Sequence, residues 1–437
     1  SRQARPMAQL AAHDESVVAV QLRALPADAV RDLAGRATGR ALATPGKWSW
    51  CQIYGGGTPP TIGVYRLTGV GRDRMGGAVR WSAVLKAVRR PTGGTGGTGA
   101  SVAGGSAGLD DPSARDYWKR EILAYQSGWL ADLPGPLAAP RCLGVSELPG
   151  DTVFLWLEDL RTPSTASDGS AASAGSGGAT GDGAEGVPWP LGRYALAARH
   201  FGVLNGTYLA RRPLPRYAWL RPPVKMVNLP ESALCPDIHL IRDAATWRDP
   251  GLGGVFGPAM ADRLLAQWER RGALFDAFLQ LPQTLCHWDA HRRNLFARRA
   301  PRGQEATVAI DWASVGAGPI GAELNNLVLG SIIVKAIDAA DGARLNAAVF
   351  PAYVDGLRRA GWRGDRHLAR FGFTASAALA VAPTLHWFLA GVLEQGGRGG
   401  PEETFPVPTA GQLARWHGLT ELALNLGDEA LALCAAL

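Results

Sequence analysis

The sequence predicts an α+β protein in which a small antiparallel sheet lobe precedes a mainly helical lobe. Three observations predict it. From residue 48 to 157 the apolar residues fall in short alternating runs closed by Gly and Pro turns, the pattern of half-buried strands. Beyond residue 189 they recur at helical spacing over long stretches. Between the two regimes, residues 162–186 are almost wholly Gly, Ser, Ala, Thr and Asp, too poor in apolar surface to build a core. The implied organisation is a helical extension at 1–46, a sheet lobe at 47–160, a low-complexity linker at 161–188 and a helical lobe at 189–437.

In the extension, residues 16–25 have mixed apolar spacing, and Pro26-Ala27-Asp28 opens a helix through Arg36, with proline at a first-turn position. Strands are expected at 48–54, 64–70 and 80–88. The first two are joined by a glycine-rich tip at 55–63, whose backbone N–H groups can come close to a phosphate; a plain hairpin tip is the alternative. A Gly/Thr/Ser insertion fills 91–109. Asp110-Asp111-Pro112-Ser113 then starts a helix on which Tyr117, Trp118, Ile122, Tyr125 and Trp129 share helical spacing, with Glu121 inside it. Strands at 141–145 and 152–157, turning at Pro149-Gly150-Asp151, complete the sheet. In the helical lobe, 192–209 and 260–279 read as helices and 316–321 as a Gly/Pro-rich loop. Helices recur from Glu323 to the C-terminus. Residues 371–393 lack Asp, Glu, Lys and Arg over about the length of a membrane helix. Ser376, Pro383, Thr384, His386 and the abundant alanine favour a buried helix pair instead.

Hydrophobic content of 46% and charged content of 19% are those of a soluble globular protein. Lys+Arg minus Asp+Glu is 45 − 38 = +7, enough to help attract a polyanion. There is no dense Lys/Arg run with interleaved aromatics, which argues against a nucleic-acid partner. The 5 cysteines are scattered and form no CxxC pair, which argues against a disulfide framework or structural zinc and for a reducing, cytoplasmic setting. The polar N-terminus has no signal-peptide core, and no membrane partner is expected.

The chemistry concentrates between Leu285 and Leu324. Asp289 and Asn294 lie on one loop, and Asp311 ends the apolar run Val308-Ala309-Ile310. Phosphoryl transfer to an alcohol needs a carboxylate that orients the hydroxyl and accepts its proton, a part that suits Asp289. Mg2+ prefers a few hard oxygens plus nucleotide phosphates, a need met by Asn294 and Asp311. His287 and His291 are expected to structure the loop, Trp288, Leu295 and Phe296 to pack, and Arg292 and Arg293 to be solvated or to steer phosphates. Lys86, in the apolar strand Ala83-Val84-Leu85-Lys86-Ala87-Val88, needs a partner or a ligand, and Glu121 is available. Thr44-Pro45-Gly46-Lys47-Trp48 is not a Walker A sequence.

The ordered set resembles the aminoglycoside phosphotransferase and choline kinase-like small-molecule kinases, relatives of the protein kinase fold. His287, Asp289, His291 and Asn294 match that family's His-x-Asp-x-His-x-x-Asn loop, and Ile310-Asp311-Trp312 its metal motif. Gly318-Pro319 and Glu323-Leu324 match the downstream pattern, with Glu where Asp is usual. The resemblance implies a bilobal kinase-like fold, ATP and Mg2+ as cofactors, and a small-molecule hydroxyl acceptor. It also implies nucleotide contacts from Lys86 with Glu121, from Gly56, Gly57 and Thr61 of the tip, and from the linker backbone at Trp156, Leu157 and Glu158. The glycine tip departs from the regular G-x-G-x-x-G form.

Other readings compete. Cys286, His287, Asp289 and His291 could ligate the metal of a hydrolase, although no ligand-spaced histidines follow. A nucleotide-binding scaffold without catalysis would be expected to lack some of these polar groups, and none is missing. A protein-directed kinase needs a longer segment between Asp311 and Glu323 than this one. For a cationic acceptor the available acids are Asp237, Asp243, Asp249, Glu394, Glu402 and Glu403. Trp219, Trp268 and Trp387 could stack on a sugar ring. Aminoglycosides, amino sugars, sugars and amino alcohols all remain open, as does the oligomeric state.

Overall fold

The computed structural model describes residues 17–55, 60–91, 110–114, 117–161, 188–222, 238–299, 305–393 and 409–436. The tip residues Gly56 and Gly57, and the low-complexity stretches at 92–109 and 162–187, lie outside them.

A short helix α1 (17–23) and α2 (Ala27–Thr38) lead into a five-stranded sheet. Its strands are β1 (Leu42–Tyr54), β2 (Thr61–Asp73), β3 (Ala78–Arg89), β5 (Cys142–Leu148) and β6 (Thr152–Glu158), in the order β1-β2-β3-β6-β5. Every neighbouring pair is antiparallel. Alternation gives the sheet two faces. One carries Tyr65, Leu67, Trp81, Leu85 and Trp156 onto Val18, Leu22, Val30 and Leu33 of α1 and α2. Each such buried side chain stabilises the lobe by roughly 2 kcal/mol. The other face looks at the helical lobe. Helix α2 ends at Gly39, whose φ of 68° is the left-handed conformation that glycine adopts without cost.

β1 starts at Leu42, inside the expected extension. Thr44-Pro45-Gly46 reads as a strand breaker, yet the pairing passes through it as a bulge, with shifts at Leu42/Thr44 and Thr44/Lys47. Gly46 makes this possible. Its φ is 66°, and a Cβ there would lie 1.8 Å from the carbonyl oxygen of Val70. The helix expected from residue 110 is also shorter. Residues 110–114 form turns, α3 covers only Arg120–Gln126, and Gly128 (φ 74°) leads into a 3-10 turn at Trp129–Asp132.

β4 (Leu137–Ala138) joins a small sheet with β8 (Leu295–Arg299) and β9 (Glu305–Ala309). The helical lobe proper contains α4 (Leu191–Ala210), α5 (His239–Arg242), α6 (Ala244–Arg248), α7 (Pro250–Glu269) and α8 (Arg271–Leu279). After β7 (Gln283–Cys286) and β10 (Gly316–Pro319) come a π-turn at Asn326–Gly330, α9 (Ser331–Ile333), α10 (Gly342–Arg359), α11 (Arg366–Leu393) and α12 (Ala410–Cys434). The expected helix at 260–279 is therefore two helices. Its first part begins at Pro250, hidden from sequence reading by Gly251, Gly253, Gly254 and the kink at Gly257-Pro258. The expected loop at 316–321 begins as β10, paired with β7. Its small residues leave room for the Trp288 indole, since a Cβ on Gly318 would stand 2.2 Å from that ring. Residues 371–393 belong to one helix rather than a pair. α11 is long and apolar enough to cross a membrane, and it runs through the helical core with Phe371, Phe373, Leu379, Leu385 and Phe388 buried.

Candidate active site

The loop that carries His287, Asp289 and Asn294 leaves β7 through a tight reversal. Trp288 adopts a φ of 66°, uncommon for a non-glycine residue, so something must hold it. Glu323 does. Its fully buried carboxylate accepts the backbone N–H of His287 at 2.6 Å and of Trp288 at 3.1 Å. Burial raises the Glu323 carboxyl to about 7 despite these two donors. The segment carrying Glu323 is seated on α11 by close approach, since a Cβ on Gly372 would lie 1.8 Å from the carbonyl oxygen of Ile320.

The His287 ring fixes the two motifs relative to one another. Nε2 lies 2.9 Å from the carbonyl oxygen of Ile310, and Nδ1 lies 3.2 Å from the backbone nitrogen of Asp289. A carbonyl only accepts and an amide N–H only donates, so the ring is the neutral Nε2–H tautomer. Burial lowers its pKa to about 4, consistent with that state. His291 is likewise lowered to about 4 by burial, and its Nε2 stands 3.5 Å from Asp289 Oδ1.

Asn294 donates from Nδ2 to Asp289 Oδ2 at 2.8 Å and to the Asp289 carbonyl at 3.0 Å. Asp311, just past β9, adopts a φ of 61°, which turns its carboxylate towards the sheet lobe. There Lys86 Nζ donates to Asp311 Oδ1 at 2.9 Å and to Glu121 Oε2 at 2.6 Å. Glu121 Oε1 in turn accepts the N–H of Trp312 at 3.2 Å. The cluster splits its acids. Burial pulls the Lys86 ammonium towards neutrality, but the Asp311 and Glu121 charges outweigh it and hold it charged. Burial pushes Asp311 up, and Lys86 more than reverses this, so Asp311 titrates below its usual range. Asp289 is pushed well above its usual range, first by desolvation and then by the charge of Asp311. One ionised acid beside one of raised basicity is the division of labour that a metal ligand and a general base require.

The oxygens present suit a small hard cation: the Asp311 carboxylate, 38% exposed, and the side-chain oxygen of Asn294, whose nitrogen is turned to Asp289. The hydrolase set does not assemble. Both His287 nitrogens face backbone groups, and burial with the nearby Glu323 charge keeps the Cys286 thiol protonated. Among the described residues no group of three or more His, Cys, Asp or Glu is arranged to hold a metal.

The other expected residues divide. Thr61 lines a cavity of about 120 Å³ with Lys86, Glu121, Asp311 and Trp118. Leu157 shares the Lys86 face of the sheet, whereas the Trp156 side chain packs on the opposite face, its Nε1 donating to Ser146 Oγ. Glu158 accepts from the backbone N–H of Arg141 at 3.1 Å and pairs with Arg298 at 3.0 Å. Arg292 is half-buried, lying 4.0 Å over the Trp189 ring and donating to the Leu295 carbonyl at 3.0 Å, while Arg293 is exposed. Asp243 and Asp249 cap α6 and α7, and Trp219 and Trp268 are buried, while Trp387 remains exposed. Asp237, Glu394, Glu402 and Glu403 lie outside the described residues.

Sequence reasoning missed Arg120. It is 1% exposed and donates to the carbonyls of Trp219 (2.8 Å), Ala313 (3.1 Å), Pro112 (3.2 Å) and Ala114. It ties α3, and so Glu121, to the loop that carries Asp311. Carbonyl acceptors leave no mark in a sequence. The signal that was available is an arginine beside Glu121 on the apolar face of a short helix.

With that geometry in place, comparison with known proteins is informative. Residues 229–368, which include the Asp289, Asn294, Asp311 and Glu323 loops, match the Phosphotransferase enzyme family. The match spans 368 − 229 + 1 = 140 of the 437 residues, and this segment is similar to that family. No curated protein matches the chain. Solved structures similar to this chain include a spectinomycin phosphotransferase in complex with ADP and spectinomycin (10% identity, 92% of this chain and 99% of that chain, TM-score 0.45). An amicoumacin kinase in complex with AMP-PNP and Ca2+ is 12% identical over 84% of this chain and 85% of its own, with a TM-score of 0.41. The ethanolamine kinase of Plasmodium vivax is 9% identical over 91% and 86%, with a TM-score of 0.39. The fold itself is α+β, a five-stranded antiparallel sheet lobe followed by a mainly helical lobe.

Proposed function

We propose that the chain is an ATP- and Mg2+-dependent kinase that phosphorylates a hydroxyl of a small polar molecule, an aminoglycoside, amino sugar, sugar or amino alcohol. The observation that carries this reading is Lys86 bridging Glu121 and Asp311 beside the Asp289–Asn294 pair. Asp289 orients the acceptor hydroxyl and takes its proton as the hydroxyl oxygen bonds to the terminal phosphorus and the bond to the ADP oxygen breaks. Its raised pKa makes it a better base than an ordinary aspartate. Lys86, kept charged by its two acids, offers its ammonium to the phosphates. Asn294 and Asp311 would hold Mg2+, which supplies neutralisation of phosphate charge when bound. His287 and Glu323 keep the loop in register throughout. Cys51, Cys142, Cys286 and Cys434 are free, as suits an enzyme working in the cytoplasm on its nucleotide pool.

The test is ADP release by the purified chain against panels of sugars, amino sugars, aminoglycosides, macrolides and choline-like alcohols. Stimulation by one acceptor class, dependent on Mg2+ and lost in Asp289→Asn, is the expected result. A chain that binds no nucleoside triphosphate with Mg2+ present would overturn the reading.

A further inference from the structure

The helix that follows Glu323 is irregular at its centre. Residues 324–333 are helical, but the middle turn, Asn326–Gly330, is a π-turn. Such turns are rare, and they cluster where a side chain has to be aimed. Here both ends of the turn touch the loop that carries Asp289. Asn326, at its start, donates from Nδ2 to the carbonyl oxygen of Trp288. Ser331, just past its end and fully buried, accepts the backbone N–H of Arg292 at 3.1 Å. In a regular α-helix, residues spaced like these two would face directions roughly 140° apart. The wider turn, with its i→i+5 hydrogen bonding, brings both to the same side. Gly330 lets the turn come close, since a Cβ there would stand 3.3 Å from the His291 Cβ.

The Asn326 contact falls on the peptide group that leads into Asp289. That group is pinned at both ends. Its carbonyl is held by Asn326, and its N–H lies 3.2 Å from His287 Nδ1. The second bond is at the long end of the usual range. Trp288 itself sits at a φ of 66°, an uncommon conformation for a bulky residue, kept only by what surrounds it. Glu323 holds the N–H of Trp288, so the rotation left to the next peptide plane is the one that Asn326 stops. The tilt of that plane sets the direction in which the Asp289 side chain leaves the backbone. A carbonyl only accepts, so the amide nitrogen is the part of Asn326 that makes this contact.

We propose that Asn326 is a positioning residue for phosphoryl transfer: aimed by the π-turn, it locks the Trp288–Asp289 peptide and so points the Asp289 carboxylate at the acceptor hydroxyl. This rests on the reading of Asp289 as the base. Misplacing a reacting group by about 1 Å can cost about a hundredfold in rate, which gives one amide behind the loop its leverage. Lys86, Glu121 and Asp311 are held by one another, so nucleotide affinity should not follow.

Two readouts on the full-length chain test this: hydrogen–deuterium exchange of peptic fragments spanning 286–290, and kinetics with the acceptor class that the ADP-release panel finds. Asn326→Leu has similar size and no donor. In it these fragments should exchange faster and kcat should fall about 10–100-fold, while Mg·ATP affinity by calorimetry stays within about twofold. Asn326→Asp keeps the shape and serves if the leucine variant does not fold. Its carboxyl can donate only when protonated, so its kcat deficit relative to wild type should narrow as pH falls, which a merely structural defect would not do. Unchanged exchange in both variants overturns the proposal, as does a loss of ATP affinity that matches the loss of kcat. Faster exchange in the variants, with a wild-type chain that transfers phosphate to no acceptor, would overturn the kinase reading instead.

Discussion

The two sides of the cleft are built on opposite principles. The proposed catalytic side is local: His287, Asp289, His291 and Asn294 lie within one loop, held by main-chain hydrogen bonds to a neutral histidine and a buried acid. The proposed nucleotide side is assembled at long range. Lys86 meets Glu121 and Asp311 only because a strand, a short helix and the end of a hairpin converge. The local side depends on backbone shape, the distant side on balanced charge. Damage should therefore appear as lost turnover on one side, and as lost nucleotide affinity with lost stability on the other.

The largest effect should come from Asp289→Asn, which keeps the loop but removes the base. Turnover should fall by about 10²–10⁴-fold with nucleotide affinity retained, measured by steady-state kinetics and calorimetry. A comparable loss of nucleotide affinity would mean that Asp289 belongs to the charge cluster rather than to the loop. Next is Lys86→Met, which leaves Glu121 and Asp311 facing one another without a cation. Removing one partner of a buried pair costs about 3–5 kcal/mol, and Mg·ATP affinity should fall with it. The stability loss should shrink as pH falls, because Glu121, already raised by burial, then takes a proton. Denaturant titrations at several pH values would reveal this. A loss independent of pH would speak against a charge-built site.

Arg120→Lys probes the join between the two sides. An ammonium has three donors and no fork, so at least one of the four carbonyls loses its partner, at about 1–3 kcal/mol. Because Arg120 ties Glu121's helix to the Asp311 loop, KM for ATP and the Mg2+ requirement should rise more than kcat falls. A pure kcat effect would place the coupling elsewhere.

The same contrast governs what the sequence could reveal. The grouping of His287, Asp289 and Asn294 on one loop was legible because its spacing is itself the geometry. Lys86 and Glu121 were legible because a lysine in an apolar strand demands a partner. Arg120 and Asn326 were not: both donate to carbonyls, and Asn326 reaches one 38 residues back in the chain. In the fold, errors fell where glycine and proline mark close packing rather than turns. Gly46 passes a strand through a bulge, Gly318 makes room for Trp288 in what reads as a loop, and Pro383 sits inside a continuous α11.

The smallest effect concerns Glu323, the acid on which the local side depends. Its folded pKa is about 7, above the ordinary value of 4.5, so between these values the native state binds more protons than the unfolded one. Stability therefore falls as pH rises through that window, by at most about 3 kcal/mol, and the contribution is fully present only below about pH 4.5. Glu323→Gln cannot titrate. Its amide oxygen can accept one backbone N–H, but its NH₂ group faces the other donor, so it should be less stable than wild type by about 1–3 kcal/mol at low pH. The gap should narrow as pH rises towards about 7, since only the wild type loses stability there. Urea midpoints of both proteins across this range test the sign. A gap that widens with pH would mean that the ionised carboxylate is the form that holds the Trp288 turn. Turnover should fall in the variant at every pH while Mg·ATP affinity holds, because the group sits behind the catalytic loop and touches nothing on the charge-built side.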